Sequence, residues 1–459
     1  MKKIHLRTYG CQMNKLDTAL VTSALENAGF NLTNGVKEAD VVLINTCSVR
    51  EHAEQRVLSH LGLLKHIKEN KPDIIVGVIG CMAQRLGAEL LEHEAVDIVC
   101  GPAQIPQITK LVTEALQEKK KQLAVTEKIR TAPPENRALE QLESAYGIKD
   151  KQIPAQAFVR AMRGCNKFCT YCIVPYVRGP EVSRPPAAII QQIKKLADNG
   201  VKLVTLLGQA VNSYKYKAGD KTYCLADLLY LASEVKGIEW IRFITSFPQE
   251  EFFDEILQAM AELPKVCNYL HMPAQSGSDK ILQAMNRSYT AAQYLAMLHR
   301  AGATVPGIAI AGDFIVGFPG ETEEDFQATV ELVKKARYRN CFIFKYSPRP
   351  GTTADKRLED NIPMEVKKKR NIELLAVQEK ISGELSQAFL GKTVKVLVEG
   401  LSKKPHLNSA AGRNLPQLVA RTAEDWIVVF DGQESLAGEF ANVKITKTSP
   451  LTLFGELFA

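Results

Sequence analysis

Three closely spaced cysteines offer metal chemistry in this 459-residue chain. Cys165, Cys169 and Cys172 follow a C-x3-C-x2-C spacing. Three thiolates can hold a cubane iron–sulfur cluster and leave its fourth iron without a protein ligand. Such an open iron can bind and activate a small molecule, whereas a cluster with four thiolate ligands only passes electrons. The spacing therefore predicts a metal centre with a reactive open position.

A second set of three cysteines lies in the first hundred residues. Cys11, Cys47 and Cys81 each come just after a separate predicted strand. In an open α/β sheet the carboxyl ends of the strands share one edge, where these folds bind ligands. The three thiolates can therefore converge on a second metal centre. The alternative is three unrelated buried thiols, because free cysteine is commonly buried. Cys100 lies at a similar strand end, and it is either a competing candidate ligand or a thiol with no part in the metal centre.

Zinc is the other metal that such spacing suggests. C-x2-C is a common structural zinc half-site, but a second half-site is expected nearby. The next cysteine after Cys172 is Cys224, and no His-x3-5-His pair follows Cys172 in the sequence to complete a site. The spacing therefore disfavours structural zinc. Cys224, Cys267 and Cys341 lie in or near apolar segments and are interpreted as core thiols.

A repeat of strand and helix through residues 1–118 positions the first three cysteines. Apolar runs predict strands at Lys3–Thr8, Val41–Ile44, Ile74–Ile79 and Ile98–Val99. Helical apolar spacing predicts helices at Leu16–Ala28 and about Val49–Asn70. Strands that alternate with helices imply an α/β domain with a doubly wound parallel sheet.

Residues 119–153 differ in composition from the domain before them. They contain Lys119-Lys120-Lys121, Pro133-Pro134 and a polar stretch. This composition is typical of a linker, or of an extended arm that crosses a neighbouring domain.

The segment 154–385 again alternates strands and helices. The predicted strands are Ala157–Met162, Leu203–Leu207, Trp240–Thr245, Asn268–His271, Ala309–Val316 and Cys341–Tyr346. The predicted helices are Ala187–Asn199, Leu225–Val235, Phe252–Leu263, Ala291–Arg300 and Glu323–Arg337. Six such units fit a partial TIM-like (β/α)6 barrel, whose site lies at the carboxyl ends of its strands. The C-x3-C-x2-C loop follows the first of these strands.

Polar side chains recur at the same ends of the later strands. They are Gln209, Ser246, Gln275, Ser276 and Asp313. Such side chains can hold an amino-acid moiety and a ribose. Each alone is ordinary loop chemistry, but their recurrence on one rim predicts a binding site.

The segment 386–459 has short strand patterns separated by turn signals. The predicted strands are Val394–Glu399, Gln417–Arg421, Trp426–Phe430 and Val443–Thr448. This pattern indicates a small antiparallel β-barrel.

The amino-acid composition indicates the cellular environment of the protein but says little about its chemistry. Hydrophobic residues make up 46% and charged residues 24%, as in an ordinary soluble protein. The net charge of +7 permits an acidic partner such as RNA but is weak evidence for one. There is no signal-peptide pattern, and the longest apolar stretch, Thr304–Phe318, is too short to span a bilayer. Ten cysteines without an export signal predict a reducing cytoplasm and no membrane.

The segment Arg163–Cys172 resembles the signature of radical S-adenosylmethionine enzymes. In that family the methionine amino and carboxylate groups chelate the open iron, and the reduced cluster cleaves the sulfonium to a 5′-deoxyadenosyl radical. The resemblance implies S-adenosylmethionine contacts at Tyr171, Gln209, Ser246, Gln275, Ser276 and Asp313. It also implies a low-potential electron donor such as a flavodoxin or ferredoxin.

The upstream cysteines narrow the resemblance to the methylthiotransferases of this family. Tyr9–Asn14, Asn45–Cys47 and Gly80–Cys81 resemble the subgroup that methylthiolates carbon 2 of N6-isopentenyladenosine beside the tRNA anticodon. The resemblance implies two [4Fe-4S] clusters. The cluster on Cys11, Cys47 and Cys81 would carry a sulfur that one S-adenosylmethionine methylates, and a second S-adenosylmethionine would supply the radical. A monomer is expected.

The last domain resembles the TRAM domain, an RNA-binding appendage of this family. Lys403, Lys404, Arg413 and Arg421 are the candidate phosphate contacts, and the alternative is that these side chains only keep the domain soluble. The domain departs from the pattern, because Ala420 replaces a glycine and Glu424-Asp425 are acidic. Eight basic against seven acidic residues from position 386 onward also give little net attraction for phosphate.

Two alternative functions remain open at this point. A protein methylthiotransferase that acts on a ribosomal aspartate usually shows Pro-Lys-Asn after the first cysteine, where this chain has Gln12-Met13-Asn14. A non-catalytic iron–sulfur or zinc module that binds RNA is the alternative from another class. Iron and sulfide analysis under anaerobic conditions separates these readings.

Overall fold

The computed structural model describes residues 1–48, 51–127, 129–131, 137–146, 155–403 and 415–458. Its strands are β1 (Lys3–Tyr9), β2 (Asn31–Leu32), β3 (Val41–Thr46), β4 (Ile75–Gly80), β5 (Ile98–Cys100), β6 (Gln122–Ala124), β7 (Gln156–Arg160), β8 (Met162–Arg163), β9 (Val182–Ser183), β10 (Leu203–Leu207), β11 (Lys215–Ala218), β12 (Lys221–Cys224), β13 (Trp240–Ile244), β14 (Tyr269–His271), β15 (Ala309–Val316), β16 (Asn340–Lys345), β17 (Thr393–Leu401), β18 (Gln417–Arg421), β19 (Ile427–Asp431), β20 (Phe440–Thr448) and β21 (Thr452–Leu457). Its helices are α1 (Gln12–Asn27), α2 (Glu51–Asn70), α3 (Cys81–Leu86), α4 (Ala88–Glu92), α5 (Ile108–Glu118), α6 (Arg137–Ala145), α7 (Val174–Val177), α8 (Pro186–Asp198), α9 (Leu225–Ser233), α10 (Phe253–Glu262), α11 (Asp279–Ala284), α12 (Ala291–Thr304), α13 (Glu323–Ala336), α14 (Thr353–Arg357) and α15 (Met364–Gln387).

The first domain is a parallel sheet in the order β2-β1-β3-β4-β5-β6, which confirms the doubly wound prediction. Every residue of β3 and β4 is buried, because apolar side chains alternate toward both faces. Val42 and Ile44 pack toward α2, whereas Val41 and Leu43 pack toward α1 and α5. The strand order reverses between β1 and β3, so a ligand site is expected where these two strands end.

The predicted linker contains secondary structure. Gln122–Ala124 forms β6 and pairs with β5, so the first sheet extends past residue 118. Arg137–Ala145 forms α6, which packs between the first and second domains through ion pairs described below. A three-residue edge strand leaves too little periodicity to be recognised in a sequence. Pro133 and Pro134 lie outside the described residues.

The second domain is a six-stranded partial barrel, as predicted. Two parallel sheets, β7-β10-β13 and β14-β15-β16, are joined by hydrogen bonds that β13, β14 and the residues flanking them make with each other. The amide of Ser246 donates to the carbonyl of His271 at 3.0 Å, and that of Cys267 donates to Ile241 at 2.9 Å. Within the described residues β7 and β16 are edge strands that do not pair with each other. The barrel is therefore open along this side.

The third domain is a closed barrel in the order β17-β18-β19-β21-β20. The predicted antiparallel arrangement is correct except for β19 and β21, which pair in parallel. This barrel packs against the amino-terminal ends of the second domain's strands. There the rings of Trp240 and Phe440 meet edge to face at 4.8 Å. Arg242 reaches across the same boundary and pairs with Asp425 at 2.8 Å.

None of the described helices combines the length and the apolar character needed to cross a membrane.

Candidate metal and cofactor site

The C-x3-C-x2-C loop lies at the carboxyl end of the barrel and faces its interior. Cys165, Cys169 and Cys172 line a single cavity of about 710 Å³. Backbone bonds hold the loop: the amide of Cys165 donates to Gly179 at 3.1 Å, and that of Cys172 donates to Cys169 at 3.0 Å. The structure therefore brings together the three thiols that the spacing singled out.

Glycines set the backbone immediately before two of the cysteines. Gly164, before Cys165, has φ +69°, and a Cβ there would lie 1.8 Å from the carbonyl oxygen of Pro180. Gly80, before Cys81, has φ +96°, and a Cβ there would lie 2.6 Å from a backbone oxygen of β3. A side chain at either position would displace the loop that carries the thiol.

Cys11 and Cys47 line the same cavity from the first domain. Cys11 precedes α1 and Cys47 follows β3, at the point where the strand order reverses, and the two thiols share a hydrogen bond. Asn14 connects their loops. Its Oδ1 accepts from the amide and the thiol of Cys11 at 3.3 Å, and its Nδ2 donates to Oδ1 of Asn45 at 3.0 Å. Sequence reasoning gave Asn14 and Asn45 no role, although both lie in the motifs that it used.

Cys81 lies beside this pair but behind the cavity wall, where it is buried. Burial raises the pKa of its thiol; the charge of Arg178 lowers it and that of Cys11 raises it, so the three groups lie within electrostatic range. Nε of Arg178 donates to the Cys81 sulfur at 3.2 Å. Cys100, by contrast, is buried in the apolar core of the sheet and does not line the cavity.

The thiols differ in how readily they lose a proton. The hydrogen bond with Cys47, helped by the charge of Arg178, outweighs burial and lowers the pKa of Cys11 to about 6. Burial raises the pKa of Cys165 to about 11 and raises that of Cys172 further. A metal that binds these thiols must therefore displace protons, as is general for thiolate ligands.

The donor set fits iron–sulfur clusters. Two groups of three thiols from separate domains approach one cavity, and thiolate sulfur is the usual ligand of such clusters. Across the described ranges, no three His, Cys, Asp or Glu side chains are placed to hold a single metal ion. A cubane cluster is several times wider than an ion, so its ligands do not need to meet at one point.

Most of the predicted cofactor contacts also line this cavity. They are Tyr171, Gln209, Ser246, Gln275 and Asp313. Among the residues that the structure describes, the buried hydroxyl of Ser246 has no hydrogen-bond partner, so it is available to a bound molecule. Oδ1 of Asp313 lies 3.4 Å from Nε2 of His271. Ser276 does not line the cavity: its hydroxyl lies 3.3 Å from that of Thr329 and accepts from the amide of Ser278, so it stabilises the turn instead.

Two residues of the rim adopt a left-handed backbone that non-glycine residues rarely use. Thr245 has φ +70° and Gln275 has φ +72°, and both line the cavity at the ends of neighbouring strands. Backbone strain of this kind is concentrated at ligand sites, where the surrounding structure maintains it.

Arg287 is a cavity residue that sequence reasoning missed. Its Nη1 donates to the sulfur of Cys169 at 3.4 Å, and its Nη2 donates to the carbonyl of Pro273 at 2.9 Å. Its guanidinium lies 4.2 Å from the centre of the Phe247 ring. An isolated arginine outside any motif gives no sequence signal for this contact.

A buried chain of ion pairs joins the two cysteine sets to α6. Asp17 accepts from Arg178 at 2.8 Å and from Arg160 at 2.9 Å. Glu143 of α6 then pairs with Arg160 at 2.8 Å and with Arg184 at 3.1 Å. These five side chains are almost completely buried, so each charge depends on its partners. The positions of the first and second domains are therefore coupled.

The predicted RNA contacts receive little support from the described residues. Arg421 donates Nε to Glu399 at 2.9 Å and Nη1 to Asp425 at 3.1 Å, so a phosphate would have to compete with two carboxylates. Lys403 is exposed. Lys404 and Arg413 lie outside the described residues.

Three known families match consecutive parts of the chain. The Uncharacterized protein family UPF0004 matches residues 3–101, the Radical SAM superfamily matches residues 159–333, and the TRAM domain matches residues 387–458. These matches follow the order of the sheet, the open barrel and the closed barrel.

Several relatives that match nearly the whole chain carry the name tRNA-2-methylthio-N(6)-dimethylallyladenosine synthase. The protein from Rhodopirellula baltica is 42% identical, over 99% of this chain and 95% of the relative. That from Thermoanaerobacter sp. is 43% identical, over 99% and 92%. That from Bacteroides fragilis is 41% identical, over 99% and 95%.

A solved structure shares the fold. The radical S-adenosylmethionine methyltransferase TsrM from Kitasatospora setae, with cobalamin and a [4Fe-4S] cluster bound, has a TM-score of 0.53 and 16% identity, covering 77% of each chain. Identity this low indicates a common architecture and not a common reaction.

Proposed function

We propose, since the chain belongs to the family of tRNA-2-methylthio-N(6)-dimethylallyladenosine synthases, that it inserts a methylthio group at carbon 2 of N6-isopentenyladenosine beside the tRNA anticodon. The observation that carries this proposal is one cavity shared by two cysteine sets. Cys11 and Cys47 of the first domain face the same space as the C-x3-C-x2-C loop of the second. A reaction that joins a sulfur to a radical site needs both centres close together.

The reactive half of the site is formed by the barrel. Cys165, Cys169 and Cys172 would hold a [4Fe-4S] cluster, with S-adenosylmethionine on its open iron. The buried hydroxyl of Ser246 and the carboxylate of Asp313 are polar groups on the rim that suit the cofactor. When bound, these groups supply a carbon-centred radical, which suits a carbon 2 hydrogen that no base or nucleophile can replace.

The sulfur-donating half is formed by the first domain. Cys11, Cys47 and Cys81 would hold a second [4Fe-4S] cluster, and two S-adenosylmethionine molecules would be consumed per turnover. The Asn14–Asn45 bond fixes the separation of the first two loops, and Arg178 provides positive charge beside the third thiol. Such charge favours a thiolate and hence a bound metal.

The partners follow from this chemistry. The substrate is a tRNA that already carries the isopentenyl group, and a low-potential flavodoxin or ferredoxin provides electrons in the cytoplasm. A monomer suffices, because one chain contains both cysteine sets.

Mass spectrometry of tRNA nucleosides from a deletion strain tests the function. We expect 2-methylthio-N6-isopentenyladenosine to disappear and N6-isopentenyladenosine to accumulate, with restoration by the wild-type gene. Unchanged methylthiolated nucleoside in a strain without a second homologous gene would contradict the proposal. Anaerobic iron and sulfide analysis tests the two clusters separately: about eight irons per chain are expected from two four-iron clusters.

A further inference from the structure

Two exposed aromatic rings stand on the open side of the barrel. Phe342 and Phe344 of β16 are 46% and 36% exposed, and both line the cavity that the cluster cysteines share. Ile343, between them, packs toward the core, and its carbonyl accepts from Asn371 of α15 at 3.0 Å. The covered face of β16 is therefore the outer one, and the two exposed rings face the cavity.

The surroundings of these rings are apolar on one side and polar on the other. Phe158 of β7 lines the cavity from the opposite edge of the opening, and Leu451 of the third domain, which is 55% exposed, lines it as well. The ring of Phe342 meets that of His271 edge to face at 6.4 Å, next to Asp313. A concave surface with apolar walls and a few polar groups is typical of a small-ligand subsite.

We propose that Phe342 and Phe344 form the subsite for the N6-dimethylallyl tail of the substrate nucleotide. This inference rests on the proposed function and names the part of the substrate that the open side recognises. The relatives' name specifies a branched five-carbon apolar group on N6 of the adenosine. Such a group needs an apolar wall next to the reaction cavity, and these rings provide one that is exposed in the free protein.

Anchoring the tail also serves the reaction. The rings lie on the same cavity as both cysteine sets, so a tail held at β16 limits how the adenine ring can turn within that cavity. Restricting the substrate in this way favours reaction at one carbon. Such a subsite would favour the dimethylallyl nucleotide over unmodified adenosine, because burying each methylene of the tail is worth roughly fourfold in affinity.

The test compares two synthetic anticodon stem-loop RNAs that differ only at the target nucleotide, N6-dimethylallyladenosine or adenosine. Their Kd values are measured with the cluster-loaded protein by fluorescence anisotropy. The variants are Phe342→Ser and Phe344→Ser, with Phe342→Leu and Phe344→Leu as apolar replacements. Phe458→Ser, at a 53% exposed ring outside this cavity, is the matched control. Iron content and thermal unfolding establish that each variant is folded.

We expect the preference for the dimethylallyl RNA to fall roughly tenfold in the serine variants, and to persist in the leucine variants and the control. A preference that survives serine at both positions overturns the proposal. Equal weakening of both RNAs also overturns it, because the rings would then stack on the base and not hold the tail. Wild-type protein that binds both RNAs equally and forms no methylthiolated nucleoside contradicts the proposed function itself.

Discussion

Nε of Arg178 lies 3.2 Å from the sulfur of Cys81, and this contact connects the two cysteine sets. Arg178 directly follows α7, the short helix after the C-x3-C-x2-C loop, whereas Cys81 begins α3 of the first domain. The same guanidinium donates Nη2 to Asp17 at 2.8 Å, inside the buried chain of ion pairs. One arginine therefore fixes the reactive loop relative to the predicted sulfur-donating centre.

Replacing Arg178 should lower the reduction potential of the cluster that Cys81 is proposed to bind. A positive N–H donor to a cluster sulfur stabilises the reduced, more negative cluster, so its loss lowers the reduction potential. For Arg178→Gln we expect a decrease of about 60 mV, the one-electron equivalent of a tenfold change in the equilibrium. A redox titration followed by electron paramagnetic resonance measures this potential.

Arg178→Lys is the matched variant because it keeps the charge while losing the forked geometry. Its potential should lie between those of the wild type and Arg178→Gln. Equal potentials in all three proteins would show that the arginine acts only on Asp17. In that case the variants would differ in stability and not in redox behaviour.

Removing Cys47 should separate the two halves of the reaction. Cys47→Ala is expected to retain S-adenosylmethionine cleavage but to lose sulfur insertion, with iron falling from about eight to about four per chain. Release of 5′-deoxyadenosine and formation of methylthiolated nucleoside are measured side by side. Cys100→Ala is the control, because Cys100 also ends a strand of the same sheet but lies in its apolar core. Wild-type product from Cys47→Ala would remove this cysteine from the ligand set.

Sequence alone predicted the elements whose patterns are local. Leu203–Leu207 and Ala309–Val316 have the predicted bounds because each is a run of mostly apolar residues long enough to be recognised. The cysteines could be grouped because parallel strands end on one edge, which is a property of the fold class. In contrast, β2 and β6 are edge strands of two and three residues, too short to produce a periodic signal.

Contacts between distant residues could not be predicted in this way. Asp17 and Arg178 are far apart in sequence, and neither belongs to a pattern that predicts an ion pair. Ser276 was assigned to the cofactor by its residue type and its position after a predicted strand, but the turn directs its hydroxyl toward Thr329. Residue type and strand position suffice to predict a rim, but the direction of each side chain depends on the tertiary packing of the loop.

Asp325 supports the loop that carries Gln275. Its Oδ1 accepts from Ser278 at 2.6 Å, and its Oδ2 accepts from Lys280 at 2.8 Å. Burial raises the pKa of this carboxyl, but the bonds from Lys280, Ser278 and Thr322 outweigh burial and hold the pKa at about 2. A folded-state pKa below the ordinary value of 3.8 adds stability above pH 3.8, and this stability is lost as the pH falls toward 2.

Asp325→Asn should therefore lower the free energy of unfolding by about 1 to 2 kcal/mol at pH 7, with a smaller difference near pH 3. Urea denaturation of cluster-free protein at both pH values measures the effect, since acid would otherwise destroy a cluster. Glu255→Gln, at an exposed carboxylate in the first turn of α10, should change stability little at either pH. An equal loss in Asp325→Asn at pH 7 and pH 3 would mean that hydrogen-bond geometry, and not charge, stabilises the loop.

Asp425 explains the acidic departure of the third domain from the TRAM pattern. Arg242 pairs with its Oδ1 at 2.8 Å, Arg421 pairs with the same atom at 3.1 Å, and Arg339 lies 3.9 Å from its Oδ2. Arg242 and Arg339 belong to the second domain and are buried, so this one carboxylate neutralises arginines from both sides of the boundary. Its role is to join two domains, which a comparison of domain motifs does not reveal.

Asp425→Asn should leave these buried guanidinium groups without a counter-charge. Removal of one partner of a buried ion pair costs about 3 to 5 kcal/mol. The Asp425 side chain is 18% exposed, so we expect the free energy of unfolding to fall by an amount near the lower end of this range, about 3 kcal/mol. Urea unfolding followed by tryptophan fluorescence suits the measurement, since Trp240 and Trp426 lie on either side of this boundary. Glu424→Gln removes the same charge one residue away and should cost much less. Equal losses in the two variants would show that total acidity of this turn, and not the position of Asp425, holds the third domain in place.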